Sequence, residues 1–162
     1  MRIGLGIDVH AFTSIDSNRP LILGGVHVAY DRGLVGHSDA DVLVHAVMDA
    51  ILGALRKGDI GALFPDTDLQ YKDADSLQLL AQVLELSKQE GYRLVDLDCV
   101  ILAQLPKLSP YREQMRQNLA QVLGVDVDQV GIKATTTEHL GFVGRQEGVS
   151  AYATVLMEEC MC

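Results

Sequence analysis

Asp8 and His10 stand one residue apart within Ile3-Gly4-Leu5-Gly6-Ile7-Asp8-Val9-His10, placing a carboxylate and an imidazole two positions from each other. In an extended strand, residues at i and i+2 share a face, so these two groups project together while Ile3, Leu5, Ile7 and Val9 line the opposite side. His45, midway along the next strongly helical segment, supplies a third group. One carboxylate and two imidazoles with a fourth position open form the ligand set of a catalytic zinc, because imidazole suits zinc whereas magnesium prefers oxygen. By itself so short a pair is more often two polar residues on a solvated strand face, and the rest of the chain must decide between the two readings.

The elements that would position these groups follow from local signals. Leu21-Ile22-Leu23 and Val26-His27-Val28-Ala29-Tyr30 flank Gly24-Gly25, which predicts a tight β-hairpin. Ser38-Asp39-Ala40-Asp41 reads as a capping segment in which Ser38 and Asp41 satisfy orphan amides of a helix running to about Leu55. On that helix Val42, Leu43, Ala46, Val47, Ala50 and Leu55 form an apolar stripe, and His45 and Asp49 stack four residues apart. Residues 58–71 read as a loop containing Asp59, Asp66 and Asp68.

A second helix is expected from Asp75-Ser76 to just before Gly91, then a strand from Tyr92 to Gln104, and a third helix from the Ser109-Pro110 cap to Gly124. Val130 to Ala134 and the alternation Val149, Ala151, Ala153, Val155, Met157 predict two closing strands. The expected fold is α+β, a single-domain sandwich of helices packed on one face of a mixed β-sheet with an early β-hairpin. The small aliphatic residues of the last strand suggest a flat sheet face that a partner subunit could cover.

At 162 residues, one domain suffices, here taken as residues 1–159 with a frayed tail at 160–162. Three cysteines, Cys99, Cys160 and Cys162, without a C-x-x-C spacing, argue for reduced thiols rather than a disulfide framework. The segment Met1-Arg2-Ile3-Gly4-Leu5-Gly6 lacks the apolar core of a signal peptide and no run is long enough to span a membrane, so a cytoplasmic location is expected. A net charge of −9 argues against nucleic acid as a partner. For an anionic ligand, the same charge means that local cations must be supplied by bound dications and a few placed Lys or Arg residues.

Asp8-Val9-His10, His37-Ser38-Asp39-Ala40-Asp41, His45, Gly58-Asp59-Ile60-Gly61, Phe64-Pro65-Asp66-Thr67-Asp68, Lys133-Ala134-Thr135-Thr136-Thr137-Glu138 and Gly141-Phe142-Val143-Gly144-Arg145 occur together and in order. Over residues 1–159 this set closely resembles the 2-C-methyl-D-erythritol 2,4-cyclodiphosphate synthase family of the non-mevalonate isoprenoid pathway. Cys160-Met161-Cys162 lies outside the resemblance, and no fused cytidylyltransferase of the kind some relatives carry is expected. The resemblance implies ring closure of 4-diphosphocytidyl-2-C-methyl-D-erythritol 2-phosphate, in which the 2-phosphate attacks the β-phosphorus and CMP departs. It also implies zinc on Asp8, His10 and His45, with magnesium or manganese bridging the substrate diphosphate beside Glu138.

Carried over residue by residue, the resemblance makes His37 and Thr136 the groups that stabilise the transition state, and it places Asp8, Val9, His10, His37 and Ser38 around the phosphate and erythritol. Asp59, Ile60 and Gly61 would hold the erythritol hydroxyls, and Phe64, Pro65, Asp66, Thr67 and Asp68 would close over the same region. Ala103, Gln104, Leu105, Pro106, Lys107, Leu108 and Ser109 resemble a cytidine pocket, and Thr135, Thr136, Thr137, Glu138, Phe142 and Arg145 complete the set. It further implies a homotrimer with active sites between subunits and a central channel that can hold an isoprenoid diphosphate. Two other readings stay open: a metal-dependent phosphoesterase in which water attacks, and a non-catalytic oligomer that binds isoprenoid diphosphates.

Overall fold

Gly4 and Gly6 set the architecture by letting a helix lie directly on a strand. In the computed structural model, which describes residues 1–160, β1 (Arg2–Ala11) crosses under α1 (Val42–Leu55). A Cβ at Gly4 would fall 1.8 Å from the Ala50 carbonyl oxygen, and one at Gly6 would fall 1.9 Å from that of Ala46. Only glycine opposite alanine allows backbones to approach this closely.

This contact turns the apolar side of β1 outward. Ile3, Leu5, Ile7 and Val9 are exposed, whereas Gly4, Gly6, Asp8 and His10 face the helix side. The alternative of a solvated strand face for Asp8 and His10 therefore falls away: the lack of side chains at positions 4 and 6, not the hydrophobic alternation, decides which face packs inward.

The main sheet has the order β1-β6-β4-β5, where β4 is Tyr92–Leu102, β5 is Val130–Thr135 and β6 is Gly148–Glu159. β6 pairs antiparallel with β1 and β4, and β4 pairs parallel with β5, so the sheet is mixed. Helices cover one face, where Leu97, Cys99, Ile101, Val130, Val149, Ala151, Ala153 and Val155 are buried. The small residues of β6 are thus spent inside the chain against α1. A face left for a partner is the opposite one, bearing Ile3, Leu5, Ile7, Val9 and Tyr152.

Leu21–Leu23 (β2) and Val26–Val28 (β3) pair antiparallel around Gly24 and Gly25, whose φ angles of +57° and +68° suit a two-residue turn. Asp41 ties this turn to α1. As N-cap it accepts from Val44 N, and its two oxygens also accept from Gly24 N at 2.9 Å and Gly25 N at 2.7 Å. Burial pushes its carboxyl up to about 6, against the lowering effect of those amides. Ser38, expected to share the capping, instead turns its hydroxyl to His45 and accepts from Ala40 N.

Within the expected loop, Ile60–Leu63 forms a four-residue helix (α2) capped by Asp59, and Leu69–Tyr71 forms a 3-10 turn capped by Asp68. Ser76–Gln89 (α3) begins where Asp75 accepts from Leu77 N. Arg112–Leu123 (α4) starts after Tyr111 rather than at Ser109-Pro110, and it ends at Gly124 in the left-handed conformation. A short helix Gly141–Gly144 (α5) precedes β6. Cys160 still pairs, its N–H donating to the Gly91 carbonyl, while Met161 and Cys162 of the expected tail lie outside the described residues. Among the described residues, no helix is long and apolar enough to cross a membrane.

Candidate metal centre and substrate cavities

Because α1 lies on Gly4 and Gly6, His45 arrives beside the end of β1. One ligand atom each from Asp8, His10 and His45 lies within 4.8 Å of the others. His10 Nε2 is 2.8 Å and His45 Nδ1 is 3.0 Å from Asp8 Oδ2, and the two ring nitrogens are 3.1 Å apart. Burial raises the Asp8 carboxyl, but hydrogen bonds and charge from both imidazoles outweigh it and hold the group well below the usual carboxylate range. At His10, burial lowers the imidazole, and the hydrogen bond and charge of Asp8 more than reverse this.

Each imidazole is also gripped from behind. His10 Nδ1 is 2.6 Å from the Val35 carbonyl, and Val35 N–H donates to Ala11 O at 2.8 Å, so residues 34–37 brace the end of β1. His45 Nε2 meets Ser76 Oγ at 3.0 Å and Ser38 Oγ at 3.1 Å. The Asp49 carboxylate accepts from Ile60 N at 2.8 Å and so anchors α2. A nitrogen, nitrogen and oxygen set with outer partners on both rings fits a tetrahedral transition metal better than magnesium.

These three residues line a cavity of about 390 Å³ together with His37, Ser38, Ile60, Gly61, Phe64 and Asp66, all expected from the sequence, and with Met48, Tyr71 and Leu79, which were not. Asp59, Pro65, Thr67 and Asp68 are not part of its lining. The Asp59 side chain accepts from Ala62 N, Asp68 accepts from Gln70, and the Asp68 carbonyl lies 3.1 Å from His37 Nε2. Val9 points to the outer face.

The remaining predicted residues fall elsewhere. Ala103, Gln104, Leu105, Pro106, Lys107, Leu108 and Ser109 line a second cavity of about 370 Å³ with Arg112, Ala134, Thr135 and Thr136. Thr137 and Phe142 border a third with Leu140 and Tyr152. Thr136 Oγ1 donates to Glu138 Oε1 at 3.0 Å, and Glu138 is exposed, a single carboxylate of the kind magnesium shares with phosphate oxygens. Arg145 makes a two-pronged ion pair with Glu147. Lys133 pairs with Asp98.

Sheet register explains the division. Asp8 pairs with Ala151, Ala151 with Ile101, and Ile101 with Ala134, so both cavities sit at the same end of the sheet. They occupy opposite edges, three strand spacings or roughly 14 Å apart.

Ser76 is the functional neighbour least visible in the sequence, where it reads only as the first residue of a helix. Its partner His45 is 31 positions away, and no local spacing signals the contact.

Known proteins share this architecture. The chain is 59% identical over 158 residues to the 2-C-methyl-D-erythritol 2,4-cyclodiphosphate synthase of Geobacillus thermodenitrificans, covering 98% of this chain and 97% of that protein. It superposes on the IspF CDP complex of Plasmodium falciparum with a TM-score of 0.85 at 33% identity, covering 99% and 97% of the two chains. Against the bifunctional IspDF of Campylobacter jejuni the TM-score is 0.92 at 44% identity, covering 98% of this chain but only 42% of that longer one. The YgbB family model matches residues 1–158, and on this match and these likenesses the chain belongs to the YgbB family.

Proposed function

We propose that the chain converts 4-diphosphocytidyl-2-C-methyl-D-erythritol 2-phosphate into 2-C-methyl-D-erythritol 2,4-cyclodiphosphate and CMP, a phosphorus-oxygen lyase reaction of non-mevalonate isoprenoid synthesis. The observation that carries this reading is the Asp8, His10 and His45 cluster in the wall of a cavity that also holds His37, Ser38 and Asp66, in a chain whose relatives bear that enzyme's name.

An ionised oxygen of the 2-phosphate attacks the β-phosphorus and closes the ring. The bond from that phosphorus to the bridging oxygen breaks, and its electron pair leaves on CMP. The nucleophile is already anionic near neutral pH, so no side chain has to remove a proton, and the residues act by positioning and by offsetting charge. Zinc on Asp8, His10 and His45, with magnesium or manganese beside Glu138, would supply the concentrated positive charge that a chain of net charge −9 lacks.

His37 and Thr136 donate to oxygens that gain charge in the transition state. Asp59, Ile60 and Gly61 hold the erythritol hydroxyls, Phe64 to Asp68 close over them, and Ala103 to Ser109 take the cytidine. Arg145 reaches phosphate only by leaving Glu147.

One chain separates its metal cavity from its cytidine cavity across the sheet, which supports a composite site. In a cyclic homotrimer, the β1 edge of one copy faces the β5 edge of the next, and the exposed Ile3, Leu5, Ile7 and Val9 are covered. Phe142, Leu140 and Tyr152 are the apolar groups available to an isoprenoid diphosphate in the channel of that assembly. Residues 1–159 make up one domain of that assembly, in the cytoplasm.

Product analysis tests the reaction: with magnesium and the cytidyl substrate, CMP plus a cyclic diphosphate is expected. CMP with an open-chain bisphosphate would establish hydrolysis by water instead. Ligand binding without turnover, unaffected by His10→Ala, would identify a non-catalytic oligomer. A monomer in sedimentation at micromolar concentration would sink the composite site.

A further inference from the structure

We infer that Asp39 and Ser76 form a positioning pair that holds His45 in the tautomer presenting Nδ1 to the metal; this rests on the metal reading of Asp8, His10 and His45.

Proton accounting carries the argument. Ser76 is fully buried at the first turn of α3. Its hydroxyl donates to Asp39 Oδ1, and its backbone N–H donates to Asp39 Oδ2 at 3.0 Å. A hydroxyl has one proton, and here a carboxylate takes it. Ser76 Oγ can then meet His45 Nε2 at 3.0 Å only as an acceptor, which puts the ring proton on Nε2. Nδ1, 3.0 Å from Asp8 Oδ2 and 3.1 Å from His10 Nε2 in the ligand cluster, is then the nitrogen whose lone pair a bound metal would take.

Ser38 cannot make this selection. Its oxygen accepts from Ala40 N at 3.3 Å, but its proton has no committed acceptor, so it can serve either tautomer of His45. His10 is set in the opposite sense, because the Val35 carbonyl can only accept and therefore fixes the proton on Nδ1. The two imidazoles thus offer different nitrogens, one oriented by backbone and one by the Asp39 and Ser76 pair.

The pair also joins two segments. Asp39 N–H donates to Ala74 O at 3.0 Å and Asp73 N–H donates to His37 O at 2.8 Å, so residues 37–39 and 73–76 are clasped through backbone contacts that do not involve the Ser76 hydroxyl. Ser76→Ala therefore removes the tautomer-selecting group and leaves the clasp.

The experiment measures zinc affinity by chelator competition and reads the His45 ring by long-range ¹H–¹⁵N NMR of the zinc-loaded protein. Ser76→Ala should weaken zinc binding about 10- to 100-fold and shift the His45 Nε2–H proton resonance upfield, because that acceptor is gone. Ser76→Thr, which keeps the hydroxyl, should restore both readouts. Asp39→Ala should weaken zinc binding as well, since the Ser76 hydroxyl is then free to donate and no longer selects Nε2–H.

Wild-type zinc affinity together with unchanged ring shifts in Ser76→Ala would overturn the inference, as would a lowered Tm of the metal-free protein with no change in affinity. A wild-type chain that binds no stoichiometric zinc would defeat the metal reading instead.

Discussion

The two ends of one sheet row behave differently. At the β1 edge, Asp8, His10 and His45 are drawn together by a helix packed backbone-on-backbone, and the second nitrogen of each imidazole already has a partner. At the β5 edge, Thr136 and Glu138 are exposed and bond mainly to each other, beside a loop from Gln104 to Ser109 that borders an open cavity. The first region is organised before any ligand arrives. The second presents groups whose partners must come from a substrate or a neighbouring copy. A site that must bind a metal tightly and still release a nucleotide product benefits from that asymmetry, because rigid ligands favour metal retention and loosely held polar groups exchange partners readily.

Removing a ligand should break the organised side outright. His45→Ala is expected to eliminate zinc by elemental analysis and to lower turnover by about a thousandfold, from several kcal/mol of lost charge stabilisation at 1.36 kcal/mol per tenfold. Full metal content in that variant would contradict the ligand assignment.

The packing beneath the site is the next lever. Gly6→Ala forces a Cβ to within 1.9 Å of the Ala46 carbonyl oxygen, so α1 must lift from β1 and carry His45 with it. A stability loss of about 3 kcal/mol or more is expected from such overpacking, read from denaturant midpoints, with zinc lost in parallel. Unchanged stability and metal content would show that the close approach is dispensable.

The open side should respond differently. Thr136→Ala should reduce kcat by about 10²-fold, the scale for losing one donor to developing charge, with zinc retained and KM little changed. Equal losses in kcat and affinity would restrict Thr136 to binding.

The smallest expected effect is none at all. Burial and the nearby Asp98 push the Cys99 thiol up to about 12, so only about one part in ten thousand is thiolate at pH 8. Peptide mapping after iodoacetamide treatment should find Cys160 alkylated and Cys99 untouched. Labelling of Cys99 in the native protein would reveal that the core between sheet and helices opens.

Much of the scaffold was legible because its signals are local. Asp41 caps α1, and Gly91 and Gly124 take positive φ just past the ends of α3 and α4, all decided by chemistry within a turn of the chain. The start of α4 was misplaced because Ser109-Pro110 has the composition of a cap while the chain turns once more before Tyr111. Ser38 was misassigned for a related reason. A serine before a helix can serve the backbone or a distant side chain, and sequence spacing does not distinguish the two.

By itself, the amino-acid sequence determined the residue types able to hold a metal, the succession of strands and helices, and the alternation that puts Asp8 and His10 on one face of β1. Only the tertiary structure decided that this face turns inward, that Ser76 backs His45 across 31 positions, and that the predicted contacts divide between two sheet edges. Alternation specifies relative sides but not which side is buried. That choice was made by the contact of Gly4 and Gly6 with α1, an interaction between segments some forty residues apart that no short window of sequence contains.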